Sequence, residues 1–295
     1  MAKTSLLALA AAGALVASAI GPARSDESAQ QPARVVPDSV ITSQRSALLQ
    51  AASQAHSGPQ SPRDLASSKG DNPVVFGSAP KRAVMNLCNI HIHESAEHRG
   101  GEFTTYAGNG NGLGYGTGYR YSGELSDSEL KPLPHKLGYS QHSVIRPGST
   151  IEVHYVYSTA HVGPGPTLAS CLSKENGNPQ LRVEAVVAVL VNNPDAADFV
   201  ELTKLDSVNG YSAAPNIPDN LGAPIGYSGS TTGPSFNAVP SPLQVTWSVR
   251  PKVIKVDVAS VHKWLSSNPF KEDHAHGVRN LVINPALLSP NLAAE

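Results

Sequence analysis

From Val74 onward the chain alternates short runs of β-branched and other apolar residues with clusters of Gly, Pro, Asn and Ser, the pattern of strands punctuated by turns. The clearest runs are 87–93, 150–157, 181–191, 244–249 and 252–258, and all of them fit one large sheet. In 87–93 the side chains alternate, so that Asn89, His91 and His93 share one face while Cys88, Ile90 and Ile92 share the other. In 150–157, Ile151, Val153, Tyr155 and Tyr157 form an apolar face, and Glu152, His154 and Val156 point the opposite way. Val261, Trp264 and Leu265 recur at helical spacing after a possible Ser260 cap, with Pro269 just beyond, which predicts one short helix. Residues 26–70, rich in Ser, Ala, Gln and Pro with little apolar periodicity outside 40–52, read as a flexible N-terminal segment. The folded domain is expected over 71–295.

Composition narrows the function classes. Glycine and proline, 25 and 24 residues, exceed their usual share and disfavour a long-helix protein. Lys and Arg number 22 against 23 acidic residues, for a net charge of -1, so the basic footprint that nucleic acid requires is missing. Residues 1–25 combine Lys3, an Ala/Leu/Val stretch and small residues at cleavage spacing, the form of a secretory signal. Pro22 and Arg24 close that stretch before it reaches the length of a membrane span, so the mature chain is expected to be exported, periplasmic or secreted, with no membrane span. In such a compartment the only two cysteines, Cys88 and Cys171, are expected to form a disulfide, with Cys88 facing away from His91.

The histidines carry the chemistry. Same-face neighbours on a strand lie roughly 6.5 Å apart, a gap that two imidazoles close by converging on one ion with metal–nitrogen bonds of about 2.0–2.1 Å. His91 and His93 are such a pair, and His154 on another strand offers a third nitrogen. Polar groups set among β-branched neighbours are costly to bury without partners, and a metal would supply one. Three neutral imidazoles leave one coordination position open, the catalytic arrangement for zinc, and Glu152 is placed to accept the other ring N–H of a ligand histidine.

The order of three motifs then carries a resemblance. His91-Ile-His93-Glu-Ser-Ala-Glu97-His98, Glu152-Val-His154-Tyr-Val, and Gly229-Ser230-Thr231-Thr232 before Val245-Thr246-Trp247 resemble a carbonic anhydrase. The zinc-site motifs follow the alpha-class order, while the insertion between Glu97 and Glu152, with its glycine-rich loop, resembles the delta class. The resemblance implies a mainly β single domain with a few short helices around a large, mostly antiparallel sheet. It implies one zinc per chain on His91, His93 and His154, and reversible hydration of carbon dioxide to bicarbonate and a proton by a zinc-bound hydroxide. Glu97 would orient a gatekeeper threonine, Thr231 or Thr232, with Thr231 favoured and Thr232 on the substrate pocket. Val186 would line the apolar wall. No proton-shuttle position transfers, and His98, His135, His142, His161 and His262 are expected as surface or structural residues.

Other readings stay open at this point. His91-x-His93-x3-Glu97 fits the core of a cupin metal motif with Glu97 as a ligand, although Met85 stands where a cupin wants Gly. A zinc-binding protein without catalysis would need the ligands but neither Glu97 nor Thr231. His274-Ala-His276 reads as part of a loop, and the glycines 110, 112 and 114 as a surface loop rather than a nucleotide site.

Overall fold

The computed structural model describes residues 35–133 and 145–293. The signal expected over 1–25, together with His135 and His142, lies outside the described residues. The chain opens with helix α1 (Asp38–Gln54), reaches strand β1 (Asn86–Glu94), and passes two short strands, β2 (Thr105–Tyr106) and β3 (Tyr119–Arg120), and a single turn α2 (Asp127–Leu130). Strands β4 (Thr150–Ser158) and β5 (Leu181–Val191) follow, then α3 (Phe199–Leu202), the β6 (Asp206–Val208) and β7 (Tyr211–Ala213) hairpin, β8 (Ile225–Ser230), β9 (Gln244–Asp257) and α4 (Val258–Ser266).

Five strands form one sheet in the order β1-β4-β5-β9-β8. Three neighbour pairs are antiparallel and β5 runs parallel to β9, so the sheet is mostly antiparallel, as expected, with one parallel pair. The two runs 244–249 and 252–258 are one strand. Pro251, which lacks an N–H, sits where β9 slips against β5: Ala185 pairs with Val249 and Val187 with Val253. There β9 has run past its other partner, β8, which ends its pairing at Val249, so the missing donor leaves no central ladder broken.

The sheet carries a core on each face. Ile90, Ile92, Val153, Tyr155, Val186 and Leu190 pack on one side against α4 and α3 through Val261, Trp264 and Phe199. Val156, Val183, Ala185, Tyr227, Val245 and Trp247 pack on the other, the side of the site. The predicted C-terminal helix is present but begins earlier than expected. Asp257 caps it by accepting from the Ala259 N–H, while the Ser260 hydroxyl donates to the Asp257 carbonyl.

Two expectations are corrected here. The segment read as flexible is, from Val35 onward, part of the fold: α1 is 17 residues long and buries Ile41, Leu48 and Ala52, the latter two in a cluster with Val282, Leu287 and Leu288. Its apolar stripe was visible over 40–52, but its partner lies more than 200 residues away, and local composition carries no trace of that pairing. Cys88 also does not face away from the histidines. A register shift between Leu87 and Asn89 in the pairing with β4 breaks the alternation, so Leu87 packs with Ile90 and Ile92 while Cys88 joins the site-side cluster. There it is disulfide-bonded to Cys171.

Candidate metal centre and active site

Strands β1 and β4 place the three histidines. Their antiparallel register sets His91 opposite His154 and His93 opposite Glu152, so alternation brings all four side chains to the same face. The candidate ligand nitrogens of His91, His93 and His154 lie within 4.8 Å of one another. What fixes each ring is the group behind it. His91 Nδ1 lies 2.6 Å from Asn89 Oδ1, and His154 Nε2 lies 3.2 Å from Glu152 Oε1. His93 Nδ1 stands 3.1 Å from Glu97 Oε1.

The partners of His91 and His154 accept, so they draw the N–H of those rings to the back and leave lone pairs in front, while Glu97 stands behind His93 at ion-pair distance. His91 Nε2 and His154 Nδ1 then face each other at 3.3 Å as two acceptors, and both ring nitrogens of His93 are buried with no hydrogen-bond partner among the described residues. Facing lone pairs and an orphaned buried nitrogen are unfavourable alone and are resolved by a cation at their focus. The residues fit a metal ion with three imidazole ligands. Glu97 lies behind His93 rather than at the focus, which disfavours the cupin-type ligand set.

Electrostatics follow the same design. Burial pulls the His91 imidazole well below its ordinary value, assisted by His154 and His93, and burial with the His93 neighbour lowers His154. Both rings are therefore held neutral, the state in which they can ligate. Burial also depresses His93, but the Glu97 carboxylate outweighs it and the net shift is upward. Glu152 would be raised by burial, yet His98 and the hydrogen bonds from His154 and His98 hold it well below the usual carboxylate range.

Glu152 is fully used. Oε1 receives His98 Nδ1 at 2.6 Å as well as His154, and Oε2 receives the backbone N–H groups of Glu97 and His98 at 2.6 and 3.3 Å. His98 Nε2 lies 2.6 Å from the Tyr227 hydroxyl, which burial keeps protonated and which also pairs with Ser61 Oγ. His98, expected as an ordinary surface or structural histidine, is thus wholly buried two hydrogen bonds from the metal position. Its place beside Glu97 was the only sequence clue. Ser61 and Gln60 had none: Gln60 Oε1 accepts from Ser241 N at 2.9 Å and from Ser230 Oγ and Arg279 Nη2 at 3.2 Å.

A pocket of about 230 Å³ opens over the three histidines. One wall is polar, with Asn89, Thr231, Thr232, Glu272 and His276, and the other is apolar, with Val156, Leu181, Val183, Val245 and Trp247. Val186 is not on it. Three residues from Val183 and one from Ala185, it alternates to the back face and packs in the opposite core, so the wall expected at Val186 is supplied by Val183 and Leu181 instead. Trp247 forms the floor, edge-on to His154 at 5.1 Å and stacked on Tyr227 at 6.1 Å, with its indole N–H on the Ser230 carbonyl.

Thr231 follows the end of β8, and both it and Thr232 line the pocket. Its hydroxyl pairs with Ser241 Oγ, not with Glu97. Glu97 Oε1 instead accepts from the Arg279 N–H at 3.3 Å, and Oε2 has no hydrogen-bond partner among the described residues. The expected Glu97–Thr231 bond is absent from this arrangement, in which Thr231 pairs with Ser241 and Glu97 turns to His93 and the Arg279 N–H.

His276 also reaches the site. The segment around it pairs with the outer edge of β1, with His276 N–H on the Ile92 carbonyl and Glu94 N–H on the His276 carbonyl, both at 2.8 Å. This covers an otherwise open strand edge. It places the His276 ring 5.8 Å from His91 and 6.0 Å from His93, with Nε2 held 2.6 Å from Glu272 Oε2.

A model of the delta carbonic anhydrase family matches residues 82–260, well over half of the chain. The chain belongs to the delta carbonic anhydrase family. As a carbonic anhydrase the enzyme hydrates carbon dioxide, and its three-histidine cluster is the group that could hold a metal. No curated protein matches it. Two solved structures are similar: an alpha-carbonic anhydrase of Photobacterium profundum, 16% identical, covering 78% of this chain and 89% of its own, and a hyperthermostable carbonic anhydrase from an active hydrothermal vent chimney, 20% identical, covering 77% and 85%. Both superpose with a TM-score of 0.26, a likeness on which nothing further is built.

Proposed function

We propose that the enzyme is a zinc-dependent carbonic anhydrase that interconverts carbon dioxide with bicarbonate and a proton, one zinc per chain, acting outside the cytosol. The observation that carries this reading is the convergence of three imidazoles, two of them fixed from behind by a hydrogen-bond acceptor and the third with both nitrogens unpartnered among the described residues, at a pocket with apolar lining. His91, His93 and His154 would hold the ion. When bound, zinc supplies a nucleophile at neutral pH by lowering the pKa of coordinated water, to about 7 in carbonic anhydrases as a class.

The chain's own residues do the rest. Glu152 and Asn89 hold their ligand rings in the ligating tautomer. Val156, Leu181, Val183 and Val245 form a wall that suits an apolar, uncharged substrate and offers no hydrogen bond to water. We assign Thr231, whose hydroxyl is paired with Ser241 at the pocket edge, to aiming the attack on carbon dioxide, with Thr232 beside it, while Glu97 stands behind His93. Export is supported by the Cys88–Cys171 disulfide and by the leader-like 1–25 sequence; among the described residues no helix is long and apolar enough to cross a membrane.

Carbon dioxide hydration by zinc-loaded protein, with and without a chelator, tests the reading. Chelator-sensitive hydration is expected. Zinc bound with one ion per chain and no hydration above the uncatalysed rate would instead mark a zinc-binding protein without catalysis.

A further inference from the structure

The loop between β4 and β5, residues 159–180, has no part in the proposed chemistry, yet it touches the site at three points. Thr167 and Leu168 line the pocket beside Asn89 and His91. Gly165 N–H donates to the Cys88 carbonyl at 3.0 Å, and the Gly165 carbonyl accepts from Asn89 Nδ2 at 3.0 Å. Cys171 is bonded to Cys88, and its carbonyl accepts from Ser158 Oγ at 2.7 Å. We propose that this loop, cross-linked to β1 through Cys88–Cys171, is a positioning element for the metal centre: Gly165 sets the Asn89 amide, and Asn89 sets the tautomer of His91.

An asparagine amide has a donor end and an acceptor end, and either could face His91 Nδ1. If Nδ2 faced the ring it would donate to Nδ1 and drive the ring proton to Nε2, the nitrogen that points at the metal position. The Gly165 carbonyl can only accept. It therefore claims Nδ2, turns Oδ1 toward His91 at 2.6 Å, and keeps the Nε2 lone pair free.

The loop has little regular structure of its own: over 22 residues between Ser158 and Leu181 it forms one 3₁₀ turn, Leu168–Cys171, and its packing consists of the buried Ala160, Cys171 and Pro179 with the partly buried Val162 and Leu168. Thr167 sits at φ 58°, a backbone region costly for a β-branched residue. The cross-link is the covalent tie between the loop and the strand immediately next to Asn89, beside the Gly165 N–H bond to the Cys88 carbonyl, so the same bond that closes the 83-residue separation also supports the carbonyl that sets the amide. This rests on the metal reading above.

The test is zinc affinity, measured by competition with a chromophoric chelator, together with the visible spectrum of the cobalt-substituted protein. The proteins are the oxidised wild type, the wild type reduced by dithiothreitol, which delivers two electrons and two protons to give two thiols, and Cys88→Ala/Cys171→Ala. Asn89→Ala is expected to bind zinc about 10–100-fold more weakly, the usual cost of losing a ligand's supporting partner. The reduced and cysteine-free proteins are expected to bind about tenfold more weakly at temperatures where circular dichroism reports them folded. Asn89→Asp separates positioning from mere stabilisation. A carboxylate accepts at both oxygens, so it no longer depends on Gly165, and in the reduced or cysteine-free protein it should restore most of the lost zinc affinity without restoring the melting temperature. If the cysteine-free variant does not fold, Asn89→Asp under reduction decides.

Unchanged zinc affinity and cobalt spectrum on loss of the cross-link, or failure of Asn89→Asp to restore binding, overturns the inference alone. Oxidised wild type that takes up no zinc overturns the metal reading and this inference with it.

Discussion

The two faces of the central sheet are built from the same strands and hold opposite chemistry. Behind β1 and β4, Ile90, Ile92, Val153, Tyr155 and Tyr157 pack into a cluster whose members interact chiefly by shape and area. In front, Asn89, His91, His93, Glu152 and His154 form a lattice of directed polar contacts, with His91 and His154 each held by a hydrogen-bond acceptor and Glu97 placed behind His93. A core of the first kind tolerates approximate complementarity. A polar network of the second kind is favourable only when every member is satisfied, and the unsatisfied atoms it keeps mark where a ligand belongs.

The sharpest break in this comparison is His154→Ala. Two imidazoles bind zinc far more weakly than three, and Glu152 loses a donor. Zinc content should fall to a small fraction of one per chain and hydration should be abolished, while the back-face cluster, which His154 does not touch, keeps the protein folded. Metal analysis and circular dichroism on the same sample check both halves.

Thr231→Ala is the next largest effect. Thr231 is not among the ligands, so zinc content should stay at one per chain, whereas loss of a positioned hydrogen bond should lower turnover by roughly 10²–10³, by analogy with removal of an oxyanion-hole donor. Thr232→Ala is the companion measurement. A larger loss from Thr232 than from Thr231 would move the aiming role by one residue. No loss from either would remove it from this wall.

Alternation made most of this legible in the sequence. Period-two spacing put His91 with His93 on one face of 87–93 and Glu152 with His154 on one face of 150–157, because side chains of a regular strand alternate, and the β1–β4 pairing brings those two faces together. It failed at Cys88 and at Val186 for different reasons. A bulge shifts parity by one residue, and its cause lies in pairing rather than in local composition. Val186 follows the alternation, but it shares its parity with Arg182 and Glu184 on a strand buried throughout, and those two polar residues sit on the face turned away from the pocket, so residue polarity did not mark the parity that fronts it. The contributions of Gln60, Ser61, Arg279 and His276 come from segments that meet the site only in three dimensions.

The valines of β5 turn that lesson into a measurement. Val183→Trp places a large ring against the pocket wall and is expected to lower kcat/KM severalfold with zinc retained. Val186→Ala removes two buried methyl groups from the back face and should cost roughly 1.5–3 kcal/mol of stability, with kcat/KM unchanged in the folded protein. If Val186→Ala changes kcat/KM as much as Val183→Trp does, the two parities of β5 have been assigned to the wrong faces.

The smallest expected effect is on the pH dependence of stability, where the site-face imidazoles should govern the acid limb and buried phenols of both faces, Tyr227 in front and Tyr155 and Tyr157 behind, the alkaline limb. On the site face, His91 and His154 are held below their ordinary value by burial and neighbouring imidazoles. Below about 6.5 the unfolded chain therefore binds protons that the folded state refuses, and stability falls as pH drops through that range. His93, shifted upward, offsets part of the loss. On the back face, burial pushes the Tyr157 phenol up to about 12 and Tyr155 further. Above about 10 the unfolded chain releases protons that the folded state retains, so stability falls as pH rises. Melting temperatures of the metal-free protein should accordingly decline on both sides of a neutral plateau. His91→Gln should flatten the acid limb alone and Tyr155→Phe the alkaline limb alone. Zinc should steepen the acid limb, because protons then compete with the metal for the same nitrogens. An acid limb that His91→Gln leaves unchanged, or one that zinc does not steepen, would separate these imidazoles from the stability of the sheet.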